Sequence, residues 1–198
     1  MGTLNRAKVR ELVALLSDLP FDIRLLSDIP GASLPEETEG TYRGNALLKA
    51  RAAARLSGWL ALADDSGIEV DALGGLPGVR SARFGGPGLD DRARCGRLLD
   101  ALRDVPTEQR TARFRCVIAV VEPGGREDVV ASAVEGVILD APRGTAGFGY
   151  DPLFFYPPLG RSFAELSDTE KAAVGHRGRA VAAARPLLRE CYTAQPDV

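Results

Sequence analysis

The sequence predicts an α/β fold, and three observations carry that prediction. Val9, Leu12, Val13, Leu16 and Leu19 recur at the spacing of one helix face, so an amphipathic helix is expected over 6–18. The apolar runs Trp59-Leu60-Ala61-Leu62 and Cys116-Val117-Ile118-Ala119-Val120-Val121 read as strands. Between helix and hairpin stand two adjacent carboxylates, Asp64 and Asp65, at the end of an apolar run. Open α/β sheets carry their chemistry at such strand ends.

Taken in order, Thr3 or Asn5 is placed to cap the first helix, whose N-terminus also carries Arg6 and Lys8. Free amides, the macrodipole and two bases make that end a candidate anion site. Residues 21–26 read as a strand, followed by the turn Ile29-Pro30-Gly31 and the acidic stretch Glu36-Glu37-Thr38-Glu39, a solvated loop by charge. An alanine-rich helix is expected over 46–56, led in by Thr41-Tyr42-Arg43-Gly44-Asn45; Asn45 and Lys49 are four apart and share one face. Ala63-Asp64-Asp65-Ser66-Gly67 reads as a strand ending in a sharp turn before a second strand, Ile68-Glu69-Val70. Strand alternation sends Asp64 and Asp65 to opposite faces.

Residues 74–86 are rich in Gly and Pro and form a long loop of the kind that often carries function. A helix is expected over 90–105, with Leu98, Leu99 and Leu102 inward, and a hairpin from strands 111–121 and 129–139 about Pro123-Gly124-Gly125. Three glycines among Phe148, Tyr150 and Asp151 give a loop, 144–151, whose backbone can approach a ligand and whose aromatics can stack on a base. Ser167-Asp168-Thr169-Glu170 is a capping box opening a helix through 174, with Lys171 in its first turn. Gly175-His176-Arg177-Gly178 breaks it, and a further helix follows, kinked or restarted at Pro186. His176 is the one histidine of the chain, and with Arg177 it gathers several hydrogen-bond donors at one point.

The 198 residues suit one domain, and a net charge of −2 argues against a nucleic-acid or membrane surface. An anionic ligand must then be met by local bases or a metal. Cys95, Cys116 and Cys191 are scattered in no metal-ligand spacing, and no apolar run approaches the length of a membrane span, so the chain reads as cytoplasmic.

Together these segments resemble the inosine/xanthosine triphosphate pyrophosphatases, the Ham1-like family. The matching pieces, in the family's order, begin with Thr3-x-Asn5-x-x-Lys8, Glu37-Thr38, Asn45-x-x-x-Lys49-Ala50 and Ala63-Asp64-Asp65-Ser66-Gly67. They continue with Pro77-Gly78-x-x-Ser81-Ala82-Arg83-Phe84, Gly147-Phe148-Gly149-Tyr150-Asp151-Pro152, Glu170-Lys171 and His176-Arg177-Gly178. The resemblance spans nearly the whole chain. It implies an elongated mixed β-sheet with flanking helices, two lobes around an active-site cleft, and usually a homodimer. The implied reaction is Mg²⁺-dependent hydrolysis of ITP, XTP and their deoxy forms to the monophosphate and pyrophosphate.

On that reading Glu37 and Asp65 hold the metal with Asp64 as an extra member, and Asp65 takes the proton from the attacking water. Thr3, Asn5, Lys8, Asn45, Lys49 and Ser66 meet the substrate's phosphate side, while Phe148, Gly149, Tyr150, Asp151, Lys171, His176 and Arg177 choose the base. The competing readings are a Maf-like pyrophosphatase for other bases, against which Phe-Gly-Tyr-Asp and His-Arg-Gly argue, and a nucleotide sensor without catalysis, against which Glu37, Asp64, Asp65 and Lys49 together argue. The chain departs from the family's pattern in three places. Only Met1 and Gly2 precede Thr3, Leu4 stands where a small or polar residue is frequent, and Ala146 replaces a common glycine.

Overall fold

The computed structural model describes residues 1–3 and 5–192, apart from the side chain of Cys191; Leu4 lies outside the described residues. Five helices and five strands are described: α1 (Arg6–Leu16), α2 (Tyr42–Ser57), β1 (Ala61–Val70), α3 (Asp91–Ala101), β2 (Thr111–Val121), β3 (Glu127–Ile138), β4 (Phe154–Tyr156), β5 (Arg161–Ser162), α4 (Asp168–Val174) and α5 (His176–Cys191). The strands form one sheet in the order β1-β2-β3-β4-β5, so sequence neighbours are sheet neighbours. β3 pairs antiparallel with β4 (Val137 opposite Phe155) and β4 with β5 (Phe155 opposite Ser162). The α/β class is as expected.

The chain divides into two compact units, one comprising Met1–Asp65, Cys116–Ser132 and Arg177–Val198, the other Ser66–Arg115 and Ala133–His176. Each unit has its own core. In the first, Leu12 and Leu16 of α1 pack with Ala180, Val181, Ala184 and Leu188 of α5 and with Leu62, Cys116, Ile118 and Val120 of β1 and β2. The α5 residues lie along one stripe of that helix, the pattern of a face laid on a sheet. The second core is aromatic at its centre. Phe154 lies 4.7 Å from both Phe114 and Phe163, and the His176 ring stacks on Phe114 at 4.5 Å and 12°.

Local signals were strong where the structure agrees with them. Asn5 caps α1 by accepting from the amides of Ala7 (3.0 Å) and Lys8 (3.2 Å), and Thr3 Oγ1 accepts from Asn5 N. Ser167 opens α4 with the expected capping box. The β2–β3 hairpin closes through Glu122 N to Arg126 O, 2.9 Å. Ala146 needs no glycine, because no described non-glycine residue has positive φ.

Four expectations are corrected. Asp64-Asp65-Ser66-Gly67 is not a turn; it lies inside the continuous strand β1, and both carboxylates are buried. Residues 21–26 form no strand, only an extended segment ending in a 3-10 turn, Leu26–Asp28. α2 begins at Tyr42 rather than 46, because Thr41 Oγ1 caps it through Gly44 N. α5 runs unbroken through Pro186 from a start at His176, so Gly175 alone separates it from α4.

Gly136 of β3 shows how tightly the sheet is closed. A Cβ there would stand 2.5 Å from both the Phe154 ring and the Phe155 carbonyl oxygen, and the latter is backbone paired to β3. Gly136→Ala is expected to cost about 1–3 kcal/mol by overpacking, read as a lower urea midpoint at constant m-value.

Candidate active site

The alternation of β1 decides the arrangement. Asp64 and Asp65 point to opposite faces, and each finds a different set of bases within the first unit. Asp64, fully buried, faces α1 and α5. Its Oδ2 lies 3.4 Å from Lys8 Nζ and accepts from Nε and Nη2 of Arg177, both at 3.3 Å. Arg177 is itself only 2% exposed, and its Nη1 donates to Glu11 of α1. Asp65 faces α2. Its Oδ1 accepts from Lys49 Nζ at 3.2 Å and its Oδ2 from Asn45 Nδ2 at 3.2 Å, so the shared helix face foreseen for Asn45 and Lys49 closes on one carboxylate. Lys49 also donates to Glu37 Oε1 at 2.7 Å, and Asn45 Oδ1 accepts from Glu39 N, which pins the acidic loop that carries Glu37.

These surroundings push the two neighbours apart. Burial raises the Asp64 carboxyl, but Lys8, Arg177 and Lys49 outweigh it and hold Asp64 below the ordinary carboxylate range. For Asp65, burial wins over Lys49 and Lys8, Glu37 adds like charge, and its pKa is raised. Burial acts to lower the Lys49 ammonium, yet Asp65, Asp64 and Glu37 together raise it. Adjacent carboxylates are thus driven in opposite directions: Asp64 holds its charge more firmly than an ordinary aspartate, and Asp65 takes up a proton more readily.

Glu37 and Asp65 both reach Lys49 Nζ, so two hard carboxylates converge on one point. Among the described residues no group of three or more His, Cys, Asp or Glu is gathered for a metal. A small divalent cation that shares its coordination with phosphate oxygens and water needs only one or two protein carboxylates, so this donor set fits such an ion. The amides of Ala7 and Lys8 at the α1 N-terminus are already taken by Asn5 Oδ1, so those two donors are not presented to an anion.

In the second unit, loop 147–151 folds about Asp151. Asp151 Oδ2 accepts from Phe148 N (2.8 Å) and from Lys171 Nζ (2.5 Å), and Lys171 also sits 4.7 Å over the Phe148 ring. Gly147 has φ +74°, and any Cβ there would strike the Asp151 carboxylate, so this position requires glycine. Tyr150 is buried and donates its hydroxyl to Ser81 O at 2.9 Å, while Phe148 remains half-buried. Ser66 lies half-buried in β1. His176 and Arg177, expected as one donor point, have separate uses: the imidazole joins the aromatic stack, and the guanidinium serves Asp64 and Glu11.

A model of the Ham1 family matches residues 1–187. The chain belongs to the Ham1 family. It is 48% identical to a dITP/XTP pyrophosphatase of Desulforamulus reducens over 98% of this chain and 97% of that protein. It is 51% identical to a protein of the same name from Geobacter sulfurreducens over 92% of each chain. Among solved structures it resembles a HAM1 protein from Coxiella burnetii with TM-score 0.87 and 38% identity, covering 96% of this chain and 97% of the other.

For this Ham1-family chain, reading the sequence missed Glu11, the second carboxylate on Arg177. It lies three residues after Lys8, and 166 residues separate it from Arg177. The signal that could have found it is an acid beside Leu12 on the buried face of α1. A cavity of about 310 Å³ in the first unit, lined by Leu16, Phe21, Ile23, Trp59, Leu60 and Leu188, lies away from this chemistry; none of the expected site residues lines it. No described helix is long and apolar enough to cross a membrane.

Proposed function

We propose that this chain hydrolyses non-standard purine nucleoside triphosphates, ITP and XTP with their deoxy forms, to the nucleoside monophosphate and pyrophosphate with Mg²⁺. The observation that carries the reading is the pair of adjacent buried carboxylates with opposed electrostatics, Asp64 depressed and Asp65 raised, each among bases. The relatives from Desulforamulus reducens and Geobacter sulfurreducens, both named dITP/XTP pyrophosphatase, support it.

Water's oxygen adds to phosphorus, the bond between the α- and β-phosphates breaks, and pyrophosphate leaves. Asp65 accepts the water's proton, oriented by Asn45 and Lys49. Glu37 and Asp65 would hold Mg²⁺, with Asp64, whose carboxylate also meets Lys8 and Arg177, as an extra member. The ion, when bound, acidifies water and offsets phosphate charge. Lys8 and Lys49 add positive charge, with Thr3, Asn5 and Ser66 completing the phosphate side.

The base falls to Phe148, Gly149, Tyr150, Asp151 and Lys171, with Phe148 as the stacking ring; His176 and Arg177, expected there too, serve the aromatic stack and the Asp64–Glu11 pair instead. Hypoxanthine and xanthine present a 6-keto acceptor and an N1–H donor, which suit Lys171 and Asp151. Adenine reverses both and leaves buried polar groups unpaired, a mismatch that discriminates by up to ~10⁴. A homodimer belongs to the same proposal.

Pyrophosphate release from ITP, XTP, GTP and ATP tests the reading. ITP and XTP are expected to exceed ATP by at least ~10² in kcat/KM, and a chelator should abolish turnover. Tight ITP binding without turnover would replace this reading with a sensor, and preference for a pyrimidine with a Maf-like enzyme.

A further inference from the structure

Loop 147–151 is held from outside as well as by Asp151, and the grip comes from one face of α3. Gly149 N donates to Asp91 Oδ2 at 2.7 Å, and Gly149 O accepts from the Cys95 thiol at 3.3 Å. Asp91 and Cys95 are four residues apart, so they stack on the same side of the helix. One helix face therefore holds both peptide planes that flank residue 149. Gly149 has φ +62°, and its backbone orientation sets the direction in which Phe148 and Tyr150 leave the loop.

Asp91 is not occupied as the helix cap. Asp90 fills that role, its Oδ1 accepting from Ala93 N at 2.7 Å. Cys95 is 4% exposed, and burial, with Asp91 and Asp151 nearby, pushes its thiol up to about 11. At neutral pH it is therefore a neutral S–H donor, which the contact with a carbonyl requires.

We propose that Asp91 and Cys95 are positioning residues for base selection: a two-point clamp on Gly149 that holds Phe148 and Asp151 in the arrangement that reads the purine. This rests on the reading that loop 147–151 receives the base. The clamp touches no reacting atom, so it acts on binding and discrimination rather than on the chemical step.

The test compares Asp91→Ala, Asp91→Asn, Cys95→Ala and Cys95→Ser with wild type, using ITP and ATP as substrates and hydrogen exchange of the peptide spanning 147–151 without substrate. Asp91→Ala is expected to raise KM for ITP about tenfold with kcat within about twofold, and to lower the ITP-over-ATP ratio by a similar factor. Asp91→Asn keeps a carbonyl acceptor and should restore KM to within about threefold of wild type; Cys95→Ser, which keeps a donor, should outperform Cys95→Ala. Amide exchange in 147–151 should quicken in Asp91→Ala and remain protected in Asp91→Asn. Unchanged exchange in Asp91→Ala overturns the clamp whatever the substrate proves to be. Quickened exchange with an unchanged ITP-over-ATP ratio overturns its role in base selection. A wild-type enzyme that shows no preference for ITP overturns the functional reading instead, and exchange still decides the clamp. Should Asp91→Ala fail to fold while Asp91→Asn folds and matches wild type in every readout, Cys95→Ala against Cys95→Ser decides on the same measurements.

Discussion

Asp65→Asn is expected to lower kcat for ITP by about 10³-fold while the protein folds and still binds the nucleotide. The substitution keeps the side chain's size and one acceptor for Lys49, but an amide cannot take a proton from water. Raising the carboxyl's pKa makes Asp65 a stronger base and moves the pH at which it loses its charge above the usual aspartate value. The acid limb of kcat/KM in wild type should therefore fall at a higher pH than an exposed aspartate would produce, with activity lost as pH drops through it. Steady-state rates across pH, with nucleotide binding measured separately, check both statements. An Asp65→Asn enzyme that retains half of wild-type kcat removes the base assignment.

The neighbouring carboxylate predicts a loss of stability instead. Asp64→Ala takes from the Arg177 guanidinium, 2% exposed, one of the two carboxylates that balance it, leaving Glu11, and removes the counter-charge of Lys8. Removing one member of a buried pair costs about 3–5 kcal/mol because the other charge stays buried. Against a total of roughly 5–15 kcal/mol that is a large share, and Tm should drop by about 10 °C in a chain of this length.

The pH dependence follows from the same contacts. Asp64's folded pKa lies below its unfolded value, so its contribution is present above the unfolded value and is lost as pH falls through the folded one. Asp65 has the opposite sign: its folded pKa is raised, so its contribution is greatest in acid and is lost as pH rises through the folded value. Denaturant midpoints from about pH 5 down to about pH 1 should show the acid loss in wild type and a smaller one in Asp64→Asn. Equal acid losses in both proteins would mean that Asp64 is not the linked group.

What could be read from the sequence was what neighbours along the chain determine. The capping box at Ser167 and the helical face of Leu12 and Leu16 depend on residues a few positions apart, and the structure follows them. Strand alternation likewise sends Asp64 and Asp65 to different bases. The errors arose where tertiary burial overrode local chemistry. Asp-Ser-Gly favours turns, but here it continues β1, because both carboxylates find cations on the two faces of an extended chain. Residues 21–26 read as a strand, but their backbone meets Met1, whose amine donates to Arg24 O and whose carbonyl accepts from Leu26 N, and then closes the 3-10 turn at Leu26–Asp28. The partners of Glu11 and Asp91 could not be read locally because each is distant in the chain, Arg177 for Glu11 and Gly149 for Asp91.

The junction of α4 and α5 imposes a rule of length. Lys171, His176 and Arg177 lie within seven positions, and each serves a different partner: Asp151, the Phe114 ring, and Asp64 with Glu11. A helix turns about 100° per residue, so one residue inserted or deleted after His176 would rotate the rest of α5 by that angle. Arg177 would then leave Asp64, and the stripe of Ala180, Val181, Ala184 and Leu188 would leave its core. A substitution here changes one contact at a time, but a change in residue count after His176 displaces Arg177 and the whole α5 stripe together while Lys171 and His176 keep their partners. The register of α5 on its core is set where that helix begins, at His176.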